Sequence, residues 1–491
     1  MKTIFKNKLR RGSTNGTLPL QSVQGKPKYT FAVAKDQSPI LSQLQFIGLT
    51  CCGLLSCLGY LQIYRLGDLR EKVPEFLFCY FLLAIIYFIS FTIASRNEEE
   101  SRLRVSIQEA PRSRPDKDIS IRSAQHGKSR IVKTIIFFAL LFRAVLFFSP
   151  PSLSDDVFRY AWEGYVQLKG FNPYQVAPES DLLRDYRNAI WEKVNNKEVP
   201  AIYPPLMQLF SLLTFFVFRS VWGFKLVFIA LDLWVLRTLG HLLQANKKSL
   251  AQIIVYAWNP LVVVEIAGSG HYDVLVAGLL LQSLWLYQRN QHNRSLLALG
   301  ASILCKFYHL LAIPLFLRKI PARKFWLLPL VLLTGYLPYL LAGPHLFGAL
   351  FNYRQKWRFN GFSYQWLSSM LQSEAQAEAV LLSLLLSILA VSLWSRKGLI
   401  EQCYWVTGAI IFCTPTLFPW YLLWIVPFLC FFPNPAWLLL TTTIGLSYYV
   451  LTDWWILGIW RQNQTLMALE YLPFYGMMVW SIFKRFRDKR V

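Results

Sequence analysis

The sequence predicts an all-α polytopic integral membrane protein, and three observations carry that prediction. Of its 491 residues, 54% are hydrophobic and 16% aromatic, while only 16% are charged; a soluble chain of this length would bury its core behind a more charged skin. Apolar runs close to the length of a bilayer-spanning helix recur almost to the C-terminus. The surplus cations, a formal net charge of +24, collect in short segments flanking those runs, which is how positive residues hold loops on the cytoplasmic side. Continuous rather than alternating runs exclude a β-barrel. The placement of the cations at the ends of spans also excludes nucleic acid as their partner.

Residues 1–38 are polar and basic (Lys2, Lys6, Lys8, Arg10, Arg11), carry no secretory signal, and read as a disordered cytoplasmic tail. Residues 39–95 hold two spans, 40–64 and 74–95, and 96–130 forms a basic cytoplasmic loop. From 131 to 484 the apolar runs are 131–149, 204–218, 222–243, 250–266, 272–288, 295–317, 325–341, 379–394, 401–418, 419–432, 436–451 and 467–483, and 485–491 is a second basic cytoplasmic tail. A bilayer core needs about 20 helical residues, and 204–218 and 419–432 fall below that. Short apolar helices beside Pro often line a cavity at half depth, so the expectation is roughly 11–14 transmembrane or half-depth helices.

The basic loops Lys247–Lys248, Arg289–Arg294 and Arg318–Lys324 should all be cytoplasmic. That requires 295–317 to enter and return as a hairpin bent near Lys306, and 204–243 to cross once in net terms. The alternative, in which both segments cross fully, flips the sides between Lys247 and Arg294. Either way both termini lie in the cytoplasm, and loops 150–203 and 343–378 lie outside. The eight cysteines all fall in apolar runs with no metal-ligand spacing, so the 150–203 loop is not disulfide-stapled. Mixed charges and aromatics in that loop suit one or two amphipathic surface helices.

The loop opens on SDDVFRYAWEGYVQLKGFNPYQVAP, Ser154 to Pro178, where a chain leaving lipid first meets water. Two carboxylates held close, Asp155 and Asp156, cannot both ionise easily. Such a pair can take a proton from an attacking hydroxyl or hold a divalent cation such as Mg or Mn. Asp155 as a helix N-cap would account for one acid but not both. Arg159 lies one helical turn on, placed to pair with an acid or to hold a phosphate. Asn172–Tyr174 and Tyr203–Pro205 read as a turn and a helix start.

A second constellation, WNPLVVVEIAGSGHYD, puts Glu265, His271 and Asp273 around a glycine turn between two apolar runs. Ionisable groups at membrane depth are functional candidates; a lone His with acids is a weak metal signal. Lys306, with Tyr308 and His309, stands mid-run, as a phosphate ligand or in an ion pair with Glu265 or Asp273. Arg354, Lys356 and Arg358 are interleaved with aromatics in NYRQKWRFNGFSYQW, either a solvated face or a site for phosphate or sugar. Trp420 and Tyr421 in PWYLLW offer stacking faces or belong to an interfacial aromatic belt. There is no GxxxxGK[ST], no GxGxxG and no soluble domain large enough for a nucleotide. An activated donor must therefore be presented by the membrane, and a lipid-linked phosphate fits.

The DDVFRYAWEG block, with YPP, NPLVVVEIAGSGHYD, the Lys306-Phe-Tyr run and PWYLLW, resembles multi-spanning C-type (GT-C) glycosyltransferases. The likeness is to bacterial polyprenyl-phosphate-mannose-dependent α-mannosyltransferases and their GPI-anchor relatives, and it covers most of the chain from Ile131 onward. Glu163 stands where the family motif often has Asp, and the two runs before Arg96 look like additions. The resemblance implies a GT-C-like helical bundle at 131–484 in a bacterial plasma membrane, with the active site in the first large outer loop. It implies an acid of the motif as catalytic base, Asp155 ahead of Asp156, and an acceptor hydroxyl on a lipid or glycan. The hydroxyl attacks the anomeric carbon with inversion and expels polyprenyl phosphate. Arg159, Lys306 and the cations near Arg354 are the candidates for receiving that phosphate. The competing readings are the same scaffold serving another hexose, pentose or deoxysugar, and a flippase or transporter.

Overall fold

The computed structural model describes residues 38–107 and 117–487; most of the N-terminal tail, the centre of the basic loop and the last four residues lie outside it. The described residues are helical, with isolated bridging between Phe359–Asn360 and Thr416 as the sole extended pairing among them. Helices α1 (Ser38–Leu66) and α2 (Val73–Ile107) form the expected N-terminal hairpin, and α1 packs along α3 (Lys117–Phe147). The first large loop holds α4 (Asp156–Leu168), a 3-10 turn (Asp181–Tyr186) and the short α5 (Ala189–Glu192). Next come α6 (Pro205–Phe218), α7 (Val221–Ala245), α8 (Ile254–Ala257), α9 (Pro260–Val263), α10 (Asp273–Gln288) and α11 (His292–Ile303). They are followed by α12 (Ile313–Leu317), α13 (Leu327–Tyr336), α14 (His345–Lys356), α15 (Phe362–Leu371) and α16 (Glu374–Trp394). The chain ends with α17 (Leu399–Cys413), α18 (Val426–Leu429), α19 (Pro435–Thr443), α20 (Val450–Leu457) and α21 (Gln464–Arg487).

Among the described residues, five helical stretches are long and apolar enough to cross a membrane: 42–66, 73–95, 221–245, 322–342 and 374–394. The pair 250–257 and 260–269, bent by 60°, makes a sixth if taken as one broken span. The other apolar runs are shorter or interrupted. Proline explains part of this: Pro260, Pro419 and Pro435 each stand at a helix start, where the missing N–H costs nothing. The break expected near Lys306 is present. α11 ends at Ile303, Lys306 is extended (φ −159°, ψ 126°), and a 3-10 turn follows at Phe307–Ala312.

Buried charge locks the bundle. The Arg143 guanidinium of α3 pairs with Asp232 of α7, donates to the Ala139 and Ala257 carbonyls, and Asp232 also accepts from Tyr256 of α8 at 2.7 Å. Both ions of that pair are buried, so their attraction must repay the desolvation of two charges. α10 packs on α7 and α11, and α4 packs on α6. The α4–α6 contact is so close that a Cβ at Gly164 would sit 2.3 Å from the Ser211 carbonyl oxygen.

Candidate active site

The segment carrying the acid pair is held from several sides before it enters α4. Lys225 of α7 is buried and donates to the Leu146 and Ser149 carbonyls at the end of α3. The Leu69 amide, from the turn between α1 and α2, donates to Ser152 Oγ at 2.9 Å. Asp155 occupies the N-cap position of α4 but makes no side-chain cap bond, forgoing about 1 kcal/mol of helix stabilisation. Its carboxylate accepts instead from Arg70 Nη1 at 3.1 Å. Burial pushes the Asp155 carboxyl above its ordinary value; Arg70 pulls it down, and Asp156 and Asp68 push it up. Asp156, in the first turn of α4, suits the positive end of the helix. Its carboxylate accepts from Asn195 Nδ2 at 3.1 Å and, at 3.5 Å, from the Tyr160 hydroxyl. Among the described residues its partners are neutral.

Asp156 and Tyr160 lie one turn apart on α4, and Tyr160 begins a wall of three rings. Tyr160, Tyr203 and Tyr272 meet edge-on in all three pairs, with centroids 5.3–5.4 Å apart. Burial holds the Tyr160 and Tyr203 phenols well above their ordinary value, and the Asp156 charge adds to both. Beyond the wall stands Lys306. Its ammonium donates to Asp273 Oδ1 at 2.6 Å and lies 4.4, 4.8 and 5.0 Å from the ring centres of Tyr421, Trp424 and Tyr272. Trp424 Nε1 donates to the same Asp273 oxygen at 2.6 Å. Asp273 is fully buried, whereas the Lys306 side chain keeps 18% of its surface. Tyr353 of α14 reaches the Tyr421 hydroxyl at 3.4 Å. Burial pushes its phenol up to about 12, with Asp156 and Asp273 both acting on it in the same sense. A run of contacts thus leads from Asp156 through Tyr160 and Tyr272 to Lys306 and its partner Asp273.

The Glu265–Asp273 turn is deeper. Val264–Ser269 winds as a π-helical turn that ends at Gly270 in the left-handed region (φ +79°), where a Cβ would press on Val157 and Lys225. Glu265 accepts from the Tyr448 hydroxyl and lies 3.0 Å from His271 Nδ1, out of line for a hydrogen bond. His271 stacks on Trp420 at 4.0 Å, and Tyr308 stacks on Trp424 at 3.9 Å. Both ring nitrogens of His271, Asp273 Oδ2 and the Tyr308 hydroxyl are buried without a hydrogen-bond partner.

The predicted cations divide. Arg159 is spent within the loop: Nε pairs with Glu163 at 2.6 Å, and the other nitrogens donate to the carbonyls of Asn195, Asn196 and Val199. Of the roles weighed for it, the geometry gives the ion pair, to an acid for which the sequence suggested no role. Arg358 is likewise engaged, with Glu378 at 2.6 Å and with the Tyr364 hydroxyl. Arg354 and Lys356 are exposed on the end of α14 beside Tyr353. Among the described residues no group of three or more His, Cys, Asp or Glu side chains could hold a metal ion, and Asp155 accepts from Arg70. Sequence reasoning missed Arg70, Asn195, Lys225 and Tyr448. Lys225, a charge inside an apolar run, carried the same signal that marked Lys306; the other three carried none.

Residues 119–320 match the family described as alpha-(1->6)-mannopyranosyltransferase, N-terminal domain. Comparison with curated proteins and with solved structures gives no match. The matched segment holds both acids of α4, the Glu265–Asp273 turn, Lys306 and Tyr308. It bears out the resemblance drawn from the DDVFRYAWEG block.

Proposed function

We propose that this chain, whose residues 119–320 match the alpha-(1->6)-mannopyranosyltransferase N-terminal domain, is a membrane glycosyltransferase that moves mannose from a polyprenyl-phosphate donor to a hydroxyl of a lipid or glycan. The observation that supports this reading is the run of contacts from Asp156 through Tyr160 and Tyr272 to Lys306. A carboxylate held by neutral donors stands on one side of a wall of tyrosines and the Lys306 ammonium on the other. That arrangement fits displacement at a phosphorylated anomeric carbon. Asp156 takes the acceptor's proton as its oxygen bonds to the anomeric carbon from the face opposite the phosphate. The anomeric C–O bond breaks, its electron pair leaves with the polyprenyl phosphate, and the configuration inverts. The charge gained by the phosphate is met by Lys306, with Arg354 and Lys356 at the rim. The buried, unpartnered atoms of His271, Asp273 and Tyr308 support assigning the sugar's hydroxyls to them. The basic flanks of the spans support an extracytoplasmic position for this site.

The geometry favours Asp156 over Asp155, the acid that the family likeness puts first, because Asp155 is turned to Arg70. The test is transfer of labelled mannose from polyprenyl-phosphate mannose by purified variants. Asp156→Asn is expected to lose about 100- to 10,000-fold in kcat, the usual worth of a general base, while Asp155→Asn keeps measurable turnover. Near-normal activity of Asp156→Asn would sink the assignment. Transfer of a different sugar by the wild type would keep the chemistry and revise the donor.

A further inference from the structure

The two helices before the matched segment touch the reacting centre, and we propose that Arg70, in the turn between them, is a positioning residue for the transfer reaction. This rests on the reading of the acid pair as that centre. Contacts within the turn order the Arg70 side chain, since its amide and Nε both donate to Asp68 Oδ1, at 3.0 and 3.4 Å. That grip leaves Nη1 aimed at Asp155 Oδ1, 3.1 Å away and 85 residues further along the chain. The neighbouring residue makes a second, independent tether. The Leu69 amide donates to Ser152 Oγ, a buried bond three residues before Asp155.

The consequence for α4 follows from its geometry. Asp155 is the N-cap of α4 and Asp156 its first residue, so a hold on the one acts on the other across a single peptide unit. Fixing Asp155 on Arg70 fixes the rotation of the first turn and keeps Asp156 on the face that carries Tyr160 and the tyrosine wall. An Asp155 released from Arg70 is free to cap α4, as Asp in that position ordinarily does, and the first turn would settle differently. The same hairpin also braces the far side of the site. Phe76 meets Tyr448, the donor to Glu265, edge-on at 5.9 Å, and the Tyr80 hydroxyl donates to the Thr441 carbonyl at 2.7 Å. The pair of helices that looked like an addition to the family pattern therefore supplies part of the active site.

A double-mutant cycle on the full-length protein in detergent or nanodiscs tests this, with kcat, donor KM and melting temperature read for each variant. Arg70→Gln is expected to lose about ten- to a hundred-fold in kcat, as a misplaced reacting group does, with donor KM and melting temperature little changed. Arg70→Lys should recover part of the loss. Because Arg70 acts through Asp155, the double variant Arg70→Gln/Asp155→Asn should be no slower than Asp155→Asn alone. Losses that multiply, or wild-type kcat in Arg70→Gln, overturn the proposal. If Arg70→Gln does not accumulate, Arg70→Lys decides: lowered kcat at the wild-type melting temperature supports the role, and wild-type kcat removes it. Failure of the wild-type protein to transfer mannose would be a failure of the parent reading, seen before any variant is compared.

Discussion

At the scale of single residues, chemistry-bearing side chains were legible where their surroundings made them improbable. Lys306 in an apolar run demanded an anion, and Asp273 is that anion at 2.6 Å. The same logic, applied to Arg143 and Asp232 in their apolar runs, would have found the buried pair that ties α3 to α7. What the sequence could not give is partner choice between residues far apart. Arg159 has carboxylates on either side of it in the chain, and only the folded loop shows its guanidinium saturated by Glu163 and three carbonyls. The clamp and the phosphate ligand make opposite predictions. Arg159→Met should destabilise the protein by about 3–5 kcal/mol, because Glu163 is left buried and uncompensated, while donor KM stays near wild type. Thermal denaturation beside donor titration distinguishes them: normal stability with a raised donor KM would return Arg159 to the phosphate.

At the scale of elements, composition marks where apolar helices lie but not where they break. The run 250–266 is apolar throughout, yet it divides at Trp258–Asn259 and then widens into the π turn that carries Glu265. An inserted residue of that kind serves tertiary demands on Glu265 and His271, and leaves no periodicity to read. The WEG of the first motif is the converse case, opaque in sequence and simple in structure. Trp162 is buried in the loop's own core, Glu163 answers Arg159, and Gly164 lets α4 lie against α6. Gly164→Ala is a helix-favouring change that should nonetheless cost about 1–3 kcal/mol, since overpacking here drives a Cβ into backbone rather than into a movable side chain. Because α4 begins with the acid pair, the same change should lower kcat along with melting temperature. A variant with raised stability and normal turnover would show that the two helices can separate without consequence.

At the scale of the whole molecule, the charge pattern and the site make a joint claim about sidedness. The sequence yields more apolar runs than helices able to cross a membrane unaided, because runs such as 295–317 and 419–432 are divided into short helices and turns. Such turns are tolerated at membrane depth where protein rather than lipid surrounds them. The unbroken helices and the basic connections between runs then govern orientation. If the acid pair draws on a lipid-borne donor outside the cytoplasm, the 150–203 loop must be accessible from outside and the Arg318–Lys324 connection from within. Leu182 and Arg323 are exposed reporters on those two segments. In a background with the eight native cysteines replaced, Leu182→Cys should react with an impermeant maleimide added to intact cells. Arg323→Cys should react only after the membrane is opened. Labelling in the reverse order would place the acid pair in the cytoplasm and overturn the extracytoplasmic assignment, even if mannose transfer itself were found.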